Sequence, residues 1–180
     1  MQIKFKPNYQ KIIEAITWVA NNIKDSSRYT VLKTLFYGDK FHLQKYGRPV
    51  TGDTYIKMPM GPVASSAYDI IKANDFLPES VLNAANEAFS VGGPRDPIIP
   101  NRQANEDWFS ETDIECLNLA AEKCRGRDFG SLKEETHREQ AWVEAEMNRE
   151  MSFALLIDQD TPNRDALIEY IRETSACQSV

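Results

Sequence analysis

The sequence predicts a mainly α-helical, compact single domain of about six or seven helices with a small β hairpin. Apolar residues recur at helical spacing in several segments, glycine and proline separate these segments, and only two short runs favour strands. The length of 180 residues and the hydrophobic content of 42% are enough for one core. We therefore assign residues 1–180 to one domain, with an N-terminal helix and link at 1–27, a core at 28–174 and a frayed tail at 175–180.

The first two helices have the clearest signals. Residues 8–23 carry an apolar stripe at helical spacing, and Asn8 is suited to be the N-cap. A second helix is predicted at residues 30–46, where Gly47 follows at once as a C-terminal stop. Each stripe predicts one buried helix face.

The middle of the chain contains the predicted strands. Residues 50–59 favour an extended backbone, and a third helix is expected over 61–74 with Pro62 near its first position. A weaker helix is predicted over 79–89. The apolar pair at 98–99 is expected to form a short strand that pairs with the segment around Tyr55.

Two N-terminal capping signals precede the next helices. Ser110 with Asp113 forms a capping-box pattern before a helix that Gly126 ends. Ser131 with Glu134 repeats the pattern before a shorter helix. Both patterns place a hydroxyl three residues before an acidic side chain, as a helix start requires.

The C-terminal part is predicted to close the core. Residues 142–151 favour a charged helix, and residues 153–157 form a buried apolar segment. A last helix should begin after residues 160–162. Its predicted inward face holds Ala166, Leu167, Tyr170 and Ile171.

The charge of the chain disfavours one class of partner. The formal net charge is −6, from 27 acidic and 21 basic residues. An acidic surplus repels phosphate backbones, so we expect no specific nucleic-acid binding by the chain alone. The same surplus favours a basic protein partner, although solubility alone also explains it.

Cysteine usage and hydropathy predict a cytoplasmic protein. Cys116, Cys124 and Cys177 form no close pair, which is typical of reduced thiols. No run approaches the roughly 20 apolar residues of a membrane span, so no membrane partner is expected. Residues 1–7 lack the apolar run of a signal peptide.

Two blocks of the sequence resemble one known family. Residues 28–43 are RYTVLKTLFYGDKFHL, and residues 46–53 are YGRPVTGD. Gly-Pro-Val follows at 61–63, and Tyr-Asp at 68–69. This order and spacing resemble the core motif of Panacea-domain proteins, also called SocA-like antitoxins.

A second block strengthens the resemblance. Residues 109–114 are FSETDI, and they precede Gly-Ser-Leu at 130–132, Thr-His at 136–137 and Trp142. These features resemble the family's second motif. Two departures stand at one turn: Met60 replaces a tyrosine and Ala64 replaces a proline, which affects the detail of any contact there.

The resemblance implies an antitoxin rather than an enzyme. Members of the family are mostly α-helical with a small β element, belong to toxin–antitoxin pairs that are often phage-associated, and neutralise their toxins by direct binding. One branch resembles an adaptor that delivers its toxin to an ATP-dependent protease. The implied partner is a cognate protein toxin, with that protease as a second partner under the adaptor alternative. A homo-oligomer stays open.

The candidate site residues come from these motifs and from side-chain chemistry. No catalytic or metal-ligating residue is assigned, and no cofactor is expected. The candidates for toxin binding or for a structural role are Asp39, His42, Tyr46, Tyr55, Met58, Met60, Gly61, Pro62, Val63, His137 and Trp142.

The chemical alternative is a metal-dependent or hydrolytic enzyme built on Asp39, His42 and His137. Asp39 and His42 are three residues apart and share one helix face. The chain has only two histidines and no close ligand pair, so a buried hydrogen-bonded cluster is favoured. Under that interpretation His137 ties the C-terminal half to the second helix.

The remaining candidates each have two interpretations. Residues 61–63 either set the backbone geometry of the turn or form the rim of a partner-binding site. Trp142 is a core anchor or an exposed contact. Met58 and Met60 fill the core or form an adaptable binding patch. One solvated acidic helix face is expected from Glu134, Glu135, Glu139, Glu144, Glu146 and Glu150.

Overall fold

The computed structural model describes residues 3–24 and 26–175 of the chain. Within these ranges, helices dominate and the only sheets are two antiparallel hairpins, so the predicted mainly α class is confirmed. The α-helices are α1 (Tyr9–Asn22), α2 (Arg28–Tyr46), α3 (Ser65–Ile71), α4 (Glu79–Ala88), α5 (Glu111–Cys124), α6 (Phe129–Thr136), α7 (Gln140–Glu144) and α8 (Arg164–Thr174). The strands are β1 (Tyr55–Met58), β2 (Gly61–Ala64), β3 (Phe89–Val91) and β4 (Ile98–Pro100), and 3-10 turns lie at Glu106–Trp108 and Phe153–Leu156.

The first two helices form as predicted. The Asn8 side chain accepts hydrogen bonds from the backbone N–H groups of Gln10 and Lys11, at 3.0 and 3.2 Å. The helix α2 starts two residues earlier than expected because Ser27 is its N-cap. It ends at Gly47, whose φ of 74° is the left-handed conformation that glycine adopts without strain.

The helix α2 lies at the centre of the fold. Every residue from 31 to 40 is buried, so this central part of the helix has no solvent face. Its Gly38 allows α5 to approach, since a Cβ there would lie 3.2 Å from Leu117 Cδ2. Because this part of the helix is enclosed, its polar side chains require partners inside the protein.

The prediction that Pro62 starts a helix is wrong. Residues 61–64 form β2 and pair with β1 in an antiparallel hairpin, in which Lys57 lies opposite Pro62. The helix α3 begins at Ser65 instead. Its start is capped from a distance, because the buried carboxylate of Asp53 accepts the backbone N–H groups of Ser66 and Ala67, at 2.9 and 2.8 Å.

The predicted pairing of residues 98–99 with the Tyr55 segment is also wrong. The partner of Tyr55 is Ala64, on β2. The strand β4 pairs with β3, which follows α4 directly, so Ile99 lies opposite Ser90. The strands β1 and β4 therefore each pair with a strand that is near in sequence, and they do not pair with each other.

One of the two predicted capping boxes is present. Ser110 and Asp113 cap α5 reciprocally: the Ser110 side chain accepts the Asp113 N–H at 3.1 Å, and the Ser110 N–H donates to Asp113 at 3.0 Å. The second box is wrong, because Asp128 is the N-cap of α6 and accepts the Ser131 N–H at 2.9 Å. The N-cap of α6 therefore lies three residues earlier than predicted.

The C-terminal segment is less helical than predicted. Residues 145–152 lie outside any helix, and the buried segment around Phe153 is a 3-10 turn. The helix α8 buries Ile171 as predicted, together with Ile168, and Leu167 packs against the core. The prediction is wrong for Ala166 and Tyr170, which are exposed. Cys177 and the predicted tail beyond residue 175 lie outside the described residues. Within 3–24 and 26–175, no helix is long and apolar enough to cross a membrane.

Candidate functional site

Asp39 and Tyr55 form a closed, buried cluster. The N–H and the hydroxyl of Thr51 donate to the two oxygens of Asp39, at 2.7 and 2.5 Å. The Tyr55 hydroxyl lies 2.9 Å from Asp39 Oδ2 and 3.2 Å from the Leu35 carbonyl. Burial raises the pKa of Asp39 to about 6, against the lowering effect of these donors. This Asp39 cluster fastens α2 to the segment before β1.

His42 belongs to a second enclosed cluster, about one turn further along α2. Its Nδ1 lies 2.7 Å from the Arg48 carbonyl, so this nitrogen carries the proton and donates. Its Nε2 accepts from the Thr112 hydroxyl at 3.0 Å, with Asp113 Oδ1 at 3.2 Å. Burial lowers the pKa of His42, which keeps the imidazole neutral, while Lys11 and Arg48 compensate the charge of Asp113.

The acid–base or metal set of the enzyme hypothesis is not assembled. Asp39 and His42 have separate partners, and the His137 ring stacks on Trp142. In the described part of the chain, no group of three or more His, Cys, Asp and Glu residues is placed to hold a metal ion. Tyr46 likewise has a structural contact, since its hydroxyl donates to Glu115 at 2.5 Å.

The remaining candidates meet at the turn of the β1–β2 hairpin. Trp142 Nε1 donates to the Met58 carbonyl at 3.2 Å, and His137 contacts the carbonyl of Pro59. The rings of His137 and Trp142 are parallel within 11°, with centroids 3.8 Å apart. His137 therefore ties the C-terminal half to this hairpin, and the expected tie to α2 is wrong. The two aromatic rings clamp the turn.

Lys33 lies directly beneath the hairpin and is almost completely buried. Its Nζ donates to the Pro62 carbonyl at 2.7 Å, and among the described residues it has no carboxylate partner. Burial lowers the pKa of Lys33 to about 7. A neutral amine and a cation are therefore both accessible to this side chain near neutral pH.

Gly61 is required by this packing. Its φ is 99°, and a Cβ there would lie 2.5 Å from Thr136 Oγ1 and 2.9 Å from Lys33 Nζ. The interpretation of Gly61 as a residue of close approach and positive φ is thus confirmed. Val63 is partly buried against the core on the same strand.

Exposed apolar side chains surround the clamped turn. Met60 is 47% exposed and Phe129 is 48% exposed. Tyr29 bridges them, because its hydroxyl donates to the Met60 carbonyl at 3.2 Å and its ring centroid lies 4.4 Å from that of Phe129. Val143 and Met147, 54% and 46% exposed, adjoin the outer side of β1.

Lys57 shows how these two residues adjoin β1. Its Nζ donates to the Val143 carbonyl at 3.3 Å and to the Ala145 carbonyl at 2.9 Å. Its own carbonyl accepts the N–H of Asn148, the residue after Met147, at 2.9 Å. We call the set Tyr29, Met60, Phe129, Val143 and Met147 the hairpin surface.

Sequence reasoning missed Lys33, Tyr29 and Phe129 as parts of this site. A signal for Lys33 was available, since it stands four residues after Tyr29 and four before Tyr37 on an otherwise apolar helix side. Met60 is exposed rather than core-filling. Trp142 is partly buried and packs against the core, so it is neither fully enclosed nor a free surface residue.

The predicted acidic face is not a single surface. The glutamates lie on α6, on α7 and in the irregular segment after it, and several form ion pairs. Glu139 pairs with the buried Lys40, and Glu150 pairs with Lys4 at 3.3 Å. Glu135 pairs with Lys123 and Arg127. Internal pairing thus uses much of the negative charge.

The fold and the site define a helical domain whose two motif blocks converge on one exposed apolar turn. A protein-family model described as "Antitoxin SocA-like, Panacea domain" matches residues 31–143. The chain belongs to this SocA-like antitoxin family. No curated protein and no solved structure shows significant similarity to the chain. The match includes most of α2, both hairpins and the residues that clamp the turn.

Proposed function

We propose that the protein is an antitoxin that neutralises a cognate protein toxin by direct, stoichiometric binding through the hairpin surface. Membership of the antitoxin family supports the general role. The observation that carries the assignment of the surface is the exposure of Met60 and Phe129 where the two motif blocks meet. Exposed apolar clusters of this kind are typical of protein-binding sites.

The side-chain types of the hairpin surface suit a protein partner. Methionine adapts its shape to irregular surfaces, and Met60 and Met147 lie on either side of the clamp. Aromatic residues contribute much of the binding energy in protein interfaces, and Tyr29 already packs against Phe129 before any partner arrives. The turn therefore offers both adaptable and rigid contacts.

The clamp reduces the cost of binding. The hairpin turn is held by hydrogen bonds and contacts from Trp142, His137 and Lys33, so its backbone is already ordered. A preorganised surface loses less conformational entropy when it binds. Under this proposal the motif residues act mainly by fixing the turn, while Met60 and Phe129 contact the toxin.

The charge of the chain supports a basic or neutral toxin surface. The net charge of −6 attracts basic proteins at long range and disfavours nucleic acid. The proposal also assigns the protein to the cytoplasm. The buried free thiols of Cys116 and Cys124 agree with a reducing compartment.

The test is neutralisation in growing cells. The product of the neighbouring gene is expressed alone, with the wild-type chain, with Phe129→Asp and with Phe76→Asp. Phe76 is a matched control, because it is an exposed phenylalanine, at 69%, in the loop between α3 and α4. We expect growth arrest alone, rescue by the wild type and by Phe76→Asp, and failed rescue by Phe129→Asp.

The same experiment separates sequestration from delivery to a protease. Under stoichiometric binding the toxin level stays constant during rescue, and the two proteins co-purify. A protease-dependent fall in toxin level would instead identify an adaptor. A harmless neighbour, or equal rescue by both variants at equal protein levels, would contradict the proposal.

A further inference from the structure

A second concave feature lies between α3, α4 and β3, apart from the hairpin surface. It is a pocket of about 270 Å³. The walls are mixed: Ile70, Ile71, Leu82 and Phe89 supply an apolar part, and Arg28, Lys72 and Asn86 line a polar part. None of the residues that line it belongs to the hairpin surface, so its function is testable independently.

One end of this pocket carries the guanidinium of Arg28, whose Nε has no partner among the described residues. Arg28, at the first position of α2, lines the pocket, and its Nε is buried without a hydrogen-bond partner. Within the described ranges the Arg28 side chain forms no salt bridge and no hydrogen bond. A buried N–H group without an acceptor is unfavourable, so this group is suited to a ligand oxygen.

The other half-buried arginines show that this is unusual among the described residues. Arg102 pairs with Glu14 at 2.7 Å, Arg48 contacts Asp113 at 2.9 Å, and Arg164 donates to two backbone carbonyls. Arg28 has no such partner in the described part of the chain, although the sequence has six more acidic than basic residues. No acidic side chain lines the pocket, whereas Lys72 adds a second positive charge.

We propose that this pocket binds a small amphipathic carboxylate. Its apolar chain lies between α3 and α4, and its carboxylate accepts hydrogen bonds from Arg28. A planar guanidinium matches a carboxylate in a two-bond arrangement. The volume is below the ~300–1,000 Å³ of drug-sized sites and above the ~150 Å³ that holds benzene, which fits a ligand such as octanoate.

The combination of an apolar part of the wall with a guanidinium favours an amphipathic carboxylate over an inorganic anion. The second cation, Lys72, already lies over the Tyr68 ring, with Nζ 5.3 Å from its centroid. A phosphate or sulfate would leave the apolar walls uncovered. Binding therefore needs both ends of the ligand, and each end alone is expected to bind weakly.

Isothermal titration calorimetry with octanoate, octan-1-ol and acetate tests the proposal on the full chain. We expect octanoate to bind at least about tenfold more tightly than either partial ligand, because one lacks the charge and the other lacks the chain. Equal binding of octanoate and octan-1-ol would contradict a role for Arg28. No heat from octanoate at millimolar concentration would overturn the proposal.

Two variants locate the site. Arg28→Gln removes the charge but breaks no hydrogen bond or ion pair among the described residues, so we expect little change in melting temperature and an octanoate affinity at least about tenfold lower. Arg95→Gln is the matched control, since Arg95 is exposed and does not line the pocket. An equal loss in both variants, or none in Arg28→Gln, would show non-specific binding and reject the site.

Discussion

The Asp39 cluster is buried and contains the motif residues Asp39 and Thr51, whereas the hairpin surface is partly exposed and shares only Tyr29 with the motif blocks. In the cluster, both Asp39 oxygens accept hydrogen bonds from Thr51 or Tyr55, and all three residues are buried. At the hairpin, Lys33 has one acceptor, and Met60 is about half exposed. The motif residues of the cluster therefore specify the fold, while exposed residues beside the motif remain available to a partner.

Because of this difference, mutations can separate residues that stabilise the fold from residues that contact a partner. Substitution in a fully paired, buried cluster leaves donors without acceptors and acts on stability. Substitution of an exposed apolar residue removes little from the folded protein and acts on binding. Each prediction below assigns one residue to one of these two classes.

The largest expected effect is on stability, from Asp39→Ala. The change leaves the Thr51 N–H and hydroxyl and the Tyr55 hydroxyl without their acceptor, and we expect a loss of about 3–5 kcal/mol in the free energy of unfolding. Chemical denaturation measures it. Asp165→Ala is the control, because the Asp165 side chain is fully exposed. If the two variants were equally stable, the cluster would not have the role we assign.

Trp142→Ala should cause the next largest loss of stability. The variant loses the stacking with His137 and the hydrogen bond to the Met58 carbonyl, and we expect a loss of about 2–3 kcal/mol because Trp142 is only partly buried. The melting temperature should fall together with toxin affinity. Lost affinity with an unchanged melting temperature would identify Trp142 as a direct contact instead.

Met60→Asp should act on binding alone. We expect at least about a 30-fold rise in the toxin dissociation constant, equivalent to about 2 kcal/mol, with little change in melting temperature. Ile99→Asp is the matched control: Ile99 is 54% exposed on the second hairpin, against 47% for Met60. An equal effect at both positions would show that the charge, rather than the location, weakens binding.

Lys33 gives a pH-dependent test of the region under the hairpin. Its pKa in the folded protein, about 7, lies below the value of 10.5 expected when unfolded, so the unfolded state holds more protons between these values. Stability from this group therefore rises as pH increases from 7 towards 10.5 and is constant below 7.

The comparison variant for this test is Lys33→Met. Relative to Lys33→Met, the wild type should gain about 2 kcal/mol of unfolding free energy between pH 7 and pH 9. Denaturation at both pH values measures the gain, and other titrating groups cancel in the comparison. A constant difference between the two proteins would mean that Lys33 keeps an ordinary pKa.

The parts of the fold that the sequence predicted are those with local signals. The N-cap at Asn8, the capping box of Ser110 with Asp113 and the stop at Gly47 all depend on residues within a few positions of one another. These elements have nearly their predicted bounds. Motif resemblance also identified His137 and Trp142, although not what they contact.

The parts that sequence reasoning missed depend on long-range partners. Pro62 lies in a strand because β1 is available to pair with it, which overrides its preference for a helix start. Lys33 can be buried because its Nζ donates to the Pro62 carbonyl, 29 residues further along the chain. No local pattern contains these contacts, so neither the strand pairing of the hairpin nor the carbonyl partner of Lys33 could be deduced from spacing.

Photo-crosslinking from matched positions tests the hairpin surface most directly. A photoreactive benzoylphenylalanine replaces Met60 in one protein and Ile99 in another, and each is irradiated in the presence of the neighbouring-gene product. The account predicts a crosslinked complex from position 60 and none from position 99, at equal folding and equal protein concentration. Efficient crosslinking from position 99 with none from position 60 would contradict it and move the toxin contact to the second hairpin.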